Sequence, residues 1–259
     1  MKITADYHTH TRYSHGSGTV ADNAAAADRL GLKELAVTDH GFNHPAFGLK
    51  KRKMPHLLKD VAAANENYGV KVLTGVESNI VSESGKTDLK PAMYDDFDVF
   101  LTGFHKFVIS DFGDVFKLFL PNYLRDGLKM KAPRSLVERT TRTYINVIKN
   151  NPVDAITHMN FCVFADAVEV AKCAADYGTY IELNAKKTHL DDEELANIAA
   201  KTQARFIIGS DAHSPDRVGE ISLVEKLLSR VSVDMSRIDN IDGRLPDFRF
   251  RRFKEKGEK

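Results

Sequence analysis

The sequence predicts an α/β fold, and it favours a closed barrel over an open sheet. Seven short apolar runs alternate with longer amphipathic segments, a pattern typical of parallel strands joined by helices. Six of the seven candidate strands place a His, Asp or Glu at or just past their C-terminal end, and the remaining one places Asn184 there. In a barrel these ends meet at one rim, whereas the outer strands of an open sheet end too far apart to share a site.

The predicted elements follow in order along 259 residues, a length that suits one barrel domain over 1–259. The strands are expected at 2–7, 34–38, 70–76, 98–103, 155–157, 179–183 and 205–209. The helices are expected at 19–30, 55–68, 134–149, 165–177, 191–201 and 222–229. Thr19 and Asp22 have the spacing of a capping box, and Gly31 is typical of a helix end. The elements therefore repeat as strand–helix units along the whole chain.

Composition limits the classes of function. The formal net charge of +1 argues against an extended nucleic-acid surface but allows a small phosphorylated substrate. Cys162 and Cys173 are the only cysteines, and they are expected to be buried and reduced. No apolar run approaches the ~18 residues of a membrane span, and the N-terminus lacks the apolar core of a signal peptide. We therefore expect a cytoplasmic protein with no membrane partner.

A pair of histidines on the first candidate strand indicates a metal site. Side chains two apart on a strand share a face, so His8 and His10 project together, with Asp6 behind them. Two imidazoles backed by a carboxylate are a common metal-binding arrangement. The alternative is a pair of histidines without a metal, and this spacing alone does not decide between the two.

Further candidate ligands follow the other strands and favour the metal interpretation. The complete set is His8, His10, His15, His40, Glu77, His105, His158, Asp211 and His213. Nine ligands exceed what one zinc ion uses, which is about four. Two or three metals sharing a bridging carboxylate would use them all. Glu77 is the natural bridge, because no other candidate strand ends at a Glu.

These residues also resemble the motifs of the PHP (polymerase and histidinol phosphatase) family, most closely its stand-alone bacterial phosphatases. The matching segments are His8-x-His10, Thr38-Asp39-His40-Gly41, Gly75-Val76-Glu77, Gly103-Phe104-His105, His158 and Gly209-Ser210-Asp211-Ala212-His213. The resemblance implies a distorted, TIM-like (βα)7 barrel with three divalent metal ions, zinc being expected and manganese or iron being alternatives. It implies His8, His10, Glu77 and Asp211 at the first metal, Glu77, His105 and His158 at the second, and His15, His40 and His213 at the third.

The expected activity is a metal-dependent phosphoesterase. Its substrate would be a small phosphorylated metabolite such as histidinol phosphate or a nucleotide, attacked by a hydroxide that bridges the first two metals. The expected catalytic residues are Glu77, Asp211 and His213, with Arg12 and Arg217 preferred over Lys106 and Lys186 for gripping phosphate. The alternatives are a nuclease acting on short nucleic acids and a metal-binding module without turnover. A homo-oligomer is also compatible with the sequence.

The segment 106–133 is unusually long and apolar for a connection in an α/β fold. It is expected to cover the metal site as a lid, or alternatively to pack on the outer helices or on a second subunit. Residues 114–120 are expected to form a short helix that Pro121 ends.

The remaining charged and histidine side chains have less specific interpretations. His44, His56 and His189 have no strand-end placement and are expected to be loop or surface histidines, with His44 close enough to the rim to touch substrate. The basic run 50–53 is expected to be a solvated loop, in preference to a phosphate-steering one. The tail 249–254 is expected to be a docked or frayed end rather than a nucleic-acid arm.

Overall fold

The computed structural model describes residues 1–257, and its centre is one sheet of seven strands. The strands are β1 (Ala5–Thr9), β2 (Glu34–His40), β3 (Lys71–Asn79), β4 (Val99–Gly103), β5 (Ala155–Ile156), β6 (Tyr180–Asn184) and β7 (Phe206–Gly209). They lie in sequence order, and each neighbouring pair from β1 to β7 is parallel. The predicted (βα)7 architecture is therefore confirmed.

The sheet closes into a barrel between β1 and β7 without a full ladder. One parallel bridge joins Thr9 to Ala212 near the C-terminal rim. Further down, the buried side chain of Asn240 fills the gap, because its amide donates to the carbonyls of Ala5 at 2.9 Å and Ile208 at 2.7 Å. A side-chain amide thus provides the hydrogen bonds that the two strand edges do not make to each other.

Helices surround the barrel. They are α1 (Val20–Arg29), α2 (Met54–Asn67), α3 (Phe112–Asp114), α4 (Leu120–Gly127), α5 (Arg134–Asn150), α6 (Ala167–Tyr177), α7 (Asp192–Lys201), α8 (Ser222–Leu228) and α9 (Arg249–Glu255). The predicted capping box of Thr19 and Asp22 opens α1. Among the described residues, no helix is both long enough and apolar enough to cross a bilayer.

The prediction that Pro121 ends a helix is wrong. A π turn over Val115–Phe119 connects α3 to α4, and Pro121 lies in the first turn of α4. Pro121 has no N–H to donate and directly follows the wider π turn, so it marks an irregularity within a continuous helical segment rather than its end. The segment 106–133 is therefore helical from the start of α3 to the end of α4.

The N-terminal end of the barrel is sealed by apolar side chains. Tyr7, Leu101 and Ile207 belong to a buried cluster contributed by all seven strands. Phe248 closes this cluster from below, with its ring edge-on to Tyr7 at 4.8 Å. The helix α9 follows immediately, so the predicted tail is docked rather than frayed.

Candidate metal centre

The predicted ligands converge at the C-terminal rim of the barrel. Eight of them form four overlapping groups in which the ligand atoms lie within 4.8 Å of one another: His8 with His10 and Asp211; His8 with Glu77 and His158; His10 with His40 and His213; and His40 with Glu77 and His105. Because the groups share members, they form one continuous cluster. Its nitrogen and oxygen donors are those that zinc-like ions bind.

His15 lies at the edge of this cluster. Its ring stacks on that of His40 at 4.9 Å and meets the ring of His213 edge-on at 4.3 Å. It belongs to none of the four close groups, and its side chain is exposed. The structure therefore brings the ninth predicted ligand next to the cluster, and its role as a ligand stays a prediction.

Glu77 lies at the centre and is fully buried. Its Oε1 is 2.6 Å from Nε2 of His158 and 3.3 Å from Nε2 of His8. Its Oε2 is 2.9 Å from Nδ1 of His40. Thr157 orients the carboxylate by donating to Oε1 at 2.9 Å. One carboxylate thus faces imidazoles from several strands, which is the position that a bridging ligand requires.

Many polar atoms of the cluster have no hydrogen-bond partner. Within residues 1–257, ten buried side-chain nitrogen or oxygen atoms are unpaired, and eight of them belong to this cluster, including both ring nitrogens of His10 and of His105. Unpaired buried polar groups are rare in native proteins because each costs about 1–3 kcal/mol. Bound divalent metals would satisfy these donors, so the residues fit the metal-binding interpretation.

The protonation states of His15, His40 and Glu77 also suit metal binding. Burial lowers the pKa of His40 to about 3. His15 is exposed on one side, but desolvation of the ring face that contacts His40 and His213 lowers its pKa to about 4, so both imidazoles are neutral at pH 7. Burial acts to raise the pKa of Glu77, but the neighbouring His105 and His8 hold it well below its ordinary value. A neutral imidazole and an ionised carboxylate are the forms that bind metals.

Glu182 on β6 orients the cluster from behind, and the sequence interpretation missed it. Its Oε1 lies 2.5 Å from Nδ1 of His8, and its Oε2 accepts from the backbone N–H of His158 at 2.7 Å. Burial by itself lowers the pKa of His8, but Glu182 and Glu77 raise it well above its ordinary value. The signal was a charged residue inside an otherwise apolar strand, two residues before Asn184 and on the same face.

Asp39 and Asp6 support the loops that carry the predicted ligands. Asp39 accepts from the backbone N–H of Thr11 at 2.8 Å and from its hydroxyl at 2.6 Å, and it also accepts from Ser14. Asp6 accepts from the backbone N–H of Ser210 at 3.2 Å. Both carboxylates are buried and fix the turns beside His10 and Asp211.

The backbone is strained at two of the predicted ligands. His158 has a φ of 28° and Asp211 a φ of 49°, which side chains with a Cβ rarely adopt. Gly209 is needed beside them, because a Cβ there would overlap Oε1 of Glu182. Strain of this kind persists only where the surroundings impose it, and it concentrates at functional sites.

The cluster forms the floor of a cavity of about 370 Å³. Its walls carry three lysines and three phenylalanines: Lys106, Lys186, Lys187, Phe47, Phe107 and Phe161. The Nζ of Lys186 reaches the floor, 3.2 Å from Oδ1 of Asp211 and 3.0 Å from Nδ1 of His213. This volume lies at the small end of the range for small-molecule sites.

The predicted phosphate-binding pair lies outside this cavity. The Nε of Arg12 donates to the carbonyl of Ser17 at 2.9 Å, and Arg217 lies in a 3-10 turn over Pro215–Arg217. Neither side chain is among those lining the cavity. The role of these arginines in gripping phosphate therefore stays a prediction, and Lys186, from the loop after β6, is the alternative cation that reaches the cavity floor.

Two of the remaining histidines line the cavity, and one of them lies closer to the site than expected. His189 was expected in a loop or at the surface, but it lines the cavity with its ring 5.6 Å from that of His158. The loop after β6 folds back over the rim because Leu190 is buried. His44 also lines the cavity, as expected for a residue near the rim, whereas His56 is exposed on α2.

Comparison with known proteins identifies the family. Residues 6–224 match the sequence profile of the PHP domain. The chain belongs to the PHP family. A probable phosphatase of Vibrio atlanticus is 32% identical over 253 residues, covering 92% of this chain and 89% of that protein. A probable phosphatase of Acetivibrio thermocellus is 32% identical over 273 residues, covering 99% of this chain and 98% of that protein.

A solved structure supports the fold. A histidinol phosphate phosphatase from Lactococcus lactis, complexed with zinc, L-histidinol and phosphate, superposes with a TM-score of 0.61 at 15% identity, covering 95% of this chain and 99% of that chain. This similarity supports the PHP barrel fold. Together with the PHP match and the phosphatase relatives, it confirms the predicted family and enzyme class, a hydrolase of phosphoric esters.

Proposed function

We propose that this PHP enzyme is a metal-dependent phosphomonoesterase that acts on a small phosphorylated molecule and holds three metal ions. The observation that carries the proposal is the group of eight unpaired, buried ligand atoms beneath a cavity of about 370 Å³. Unpaired donors at this density need cations, and a cavity of this size favours a small ester over a polymer. The net charge of +1 also gives little attraction for a polyanion.

Three sets of side chains would hold the metals. The proposed sets are His8, His10, Glu77 and Asp211 for the first, Glu77, His105 and His158 for the second, and His15, His40 and His213 for the third. Three close triads support them: His8, His10 and Asp211; His8, Glu77 and His158; and His10, His40 and His213. His15 joins the third through its ring contacts with His40 and His213.

Bound metals would lower the pKa of a coordinated water and neutralise the phosphoryl oxygens. The protein's own residues would bind the phosphate and orient the ligands. The ammonium of Lys186, beside Asp211 and His213, is placed to pair with a phosphate oxygen at the cavity floor. Glu182 keeps the ring of His8 in one orientation.

The cavity walls suit a flat leaving group. Phe47, Phe107 and Phe161 present aromatic surface around the opening, and His189 adds an imidazole whose pKa is lowered by burial to about 3. Planar groups such as the imidazole of histidinol phosphate or the base of a nucleotide could pack against these rings. Both therefore remain our candidate substrates.

The test is a comparison of ester classes on one metal-loaded preparation. Purified protein is stripped with a chelator, reloaded with zinc, manganese or ferrous iron, and analysed for metal by mass spectrometry. We expect three metals per chain and faster hydrolysis of p-nitrophenyl phosphate than of bis-p-nitrophenyl phosphate or a short oligonucleotide. Preferential cleavage of the oligonucleotide would support the nuclease alternative. Full metal loading with no hydrolysis of any ester would instead support a non-catalytic metal-binding module.

A further inference from the structure

The segment after β4 carries an exposed apolar face beside the active site. Its members recur at every fourth residue and are between 40% and 81% exposed: Phe112, Phe116, Leu120, Leu124 and Leu128. We call these five residues the outer stripe. Contiguous apolar surface of this kind is uncommon on a monomer and marks an interaction site.

The backbone keeps the outer stripe on one side. An α-helix turns once in about 3.6 residues, so a spacing of four residues drifts forward along its surface. The π turn over Val115–Phe119 is wider, as shown by the N–H of Leu120 bonding to the carbonyl of Val115, and there a spacing of four falls short of a full turn. Because the two drifts have opposite sign, the π turn offsets part of the drift of the α-helical spacing, and all five side chains stay exposed.

The segment is anchored to the barrel through its other face. Leu118 and Phe119 are buried in the main core. The hydroxyl of Tyr123 donates to the carbonyl of the predicted ligand His105 at 2.6 Å, and Asp114 accepts from the backbone N–H of Glu83 at 2.8 Å. These contacts direct the outer stripe away from the barrel. The predicted lid is accordingly limited to its first residues, since Lys106 and Phe107 line the cavity.

We propose that the outer stripe is the interface of a homodimer, in which two copies pair antiparallel about a two-fold axis passing at Leu120. In this arrangement Phe112 of one copy packs against Leu128 of the other. The proposal goes beyond the phosphatase activity and does not depend on it. A self-complementary patch around a two-fold axis is the commonest form of homo-oligomeric contact.

Charge complementarity favours the antiparallel orientation. One end of the stripe carries the ion pair of Lys86 with Asp111, at 3.0 Å, and the other the pair of Lys129 with Asp126, at 3.5 Å. The side chains of Asp111 and Lys129 are 50% and 83% exposed, so both can also face a second copy. Antiparallel pairing about Leu120 places Asp111 opposite Lys129 of the second copy. Parallel pairing would instead place each lysine against its own equivalent, and like charges in contact are unfavourable.

The size of the stripe also suits a dimer. Phe112 and Phe116 are 81% and 58% exposed, which corresponds to roughly 300 Å² for these two rings alone. The three leucines and the charged rim extend this face toward the ~800 Å² that a standard interface takes from each partner.

The first test is the mass of the full-length protein in solution, measured by light scattering after size exclusion over a range of concentrations. We expect a dimer. Leu120→Glu, which sets two carboxylates against each other at the axis, should give a monomer with unchanged kcat/KM on p-nitrophenyl phosphate. Leu30→Glu is the matched control, because Leu30 is 49% exposed on another face, and it should remain dimeric.

The second test locates the axis by cysteine crosslinking. Cys162 and Cys173 are buried, so an introduced thiol reports the interface. On oxidation, Leu120→Cys should crosslink to itself, whereas Phe112→Cys should crosslink only in combination with Leu128→Cys. A monomer at every concentration would overturn the proposal, as would a dimer that survives Leu120→Glu. A monomer that sediments with phosphatidylserine vesicles would assign the stripe to membranes instead.

Discussion

Buried polar groups are paired at the N-terminal end of the barrel and largely unpaired at the C-terminal end. At the N-terminal end, Asp154 accepts from the backbone N–H groups of Phe100 at 2.9 Å and Phe250 at 2.7 Å. Tyr180 donates to Asp239 at 2.9 Å in the same region. At the C-terminal end, eight buried donor or acceptor atoms lack partners. The buried polar groups of the N-terminal end therefore satisfy one another, whereas those of the C-terminal end are arranged to bind a ligand.

The same contrast holds for the two cavities at these ends. The N-terminal cavity, of about 430 Å³, is slightly larger, but its charged groups have partners within the protein. Arg205 pairs with Asp239 and Arg252 with Asp247, and Arg244 donates to backbone carbonyls. In the C-terminal cavity, Lys186 faces the cluster and strained backbone is found at His158 and Asp211. Local violations of ordinary packing and conformational rules are expected at functional sites. Substitutions at the two ends should therefore separate activity from stability.

The largest effect is expected at the centre of the rim. Glu77→Gln keeps the shape of the side chain but removes the charge that faces several imidazoles. We expect it to lose at least about 10³-fold in kcat/KM, together with metal stoichiometry. Metal analysis and steady-state kinetics on the same preparation measure both. Glu83→Gln is the control, since Glu83 pairs with Arg139 and Arg142 outside the cluster. A Glu77→Gln protein with full metal content and near-normal turnover would contradict the bridging role.

At the opposite end, stability rather than activity should change with pH. Burial raises the pKa of Asp154 to about 7 from an ordinary value of 3.8. The folded protein therefore binds more protons than the unfolded chain between these values, so the stability contributed at this position falls as pH rises from about 4 to 7. The loss is up to about 4 kcal/mol, at 1.36 kcal/mol per pKa unit.

Asp154→Asn tests this pH dependence, because the amide stays neutral. With chelator present, urea unfolding of both proteins should show the stability of the variant rising relative to wild type between pH 4 and 7 and levelling off above pH 7. The size of the difference in unfolding free energy at any one pH also depends on the backbone N–H groups of Phe100 and Phe250, because the amide accepts their hydrogen bonds less fully than the carboxylate. A pH-independent difference between the two proteins would refute the assignment. The metal-loaded variant should keep its kcat/KM at the rim.

Most of the rim was predictable because strand ends converge in a barrel. His8, His40 and His105 lie at or beside the ends of short apolar runs, and a regular fold translates that position in sequence into position in space. The same reasoning identified the strands to within a few residues and the capping box of α1.

The parts that the sequence leaves open or hides depend on loop paths and on buried contacts between distant residues. Arg12 and Lys186 both follow strand ends, and only the fold of each loop decides which side chain enters the cavity. His189 reaches the site because of the path of its loop. Glu182 is 174 residues from the histidine that it orients, so no local pattern links the two. Pro121 was misjudged because proline is as compatible with the start of a helix as with its end.

Glu182 tests the contrast between the two ends of the barrel at an intermediate position. It is buried like Asp154, but its partner is His8 at the C-terminal rim. Glu182→Gln should weaken metal binding by about 10- to 100-fold, because His8 loses the carboxylate that fixes its ring. Competition with a metallochromic chelator measures the affinity. At saturating metal, kcat should recover much of its wild-type value, which a merely misfolded variant would not do. Unchanged metal affinity would mean that Glu182 does not position His8.

The smallest effect is expected for phosphate binding, and it decides between the lysine in the cavity and the two arginines outside it. Hydrogen bonds to charged groups contribute about 1.5–3 kcal/mol, so Lys186→Met should lower kcat/KM on p-nitrophenyl phosphate by about tenfold or more. It should also raise the inhibition constant of inorganic phosphate in parallel, because the ammonium binds the product as well as the ester. Metal content must stay unchanged, since Lys186 also contacts Asp211. Arg12→Met and Arg217→Met are matched removals of a cation, and we expect less than about a twofold change for either. If the arginine variants lose phosphate affinity and Lys186→Met does not, the loops after β1 and β7 must move toward the cavity when substrate binds.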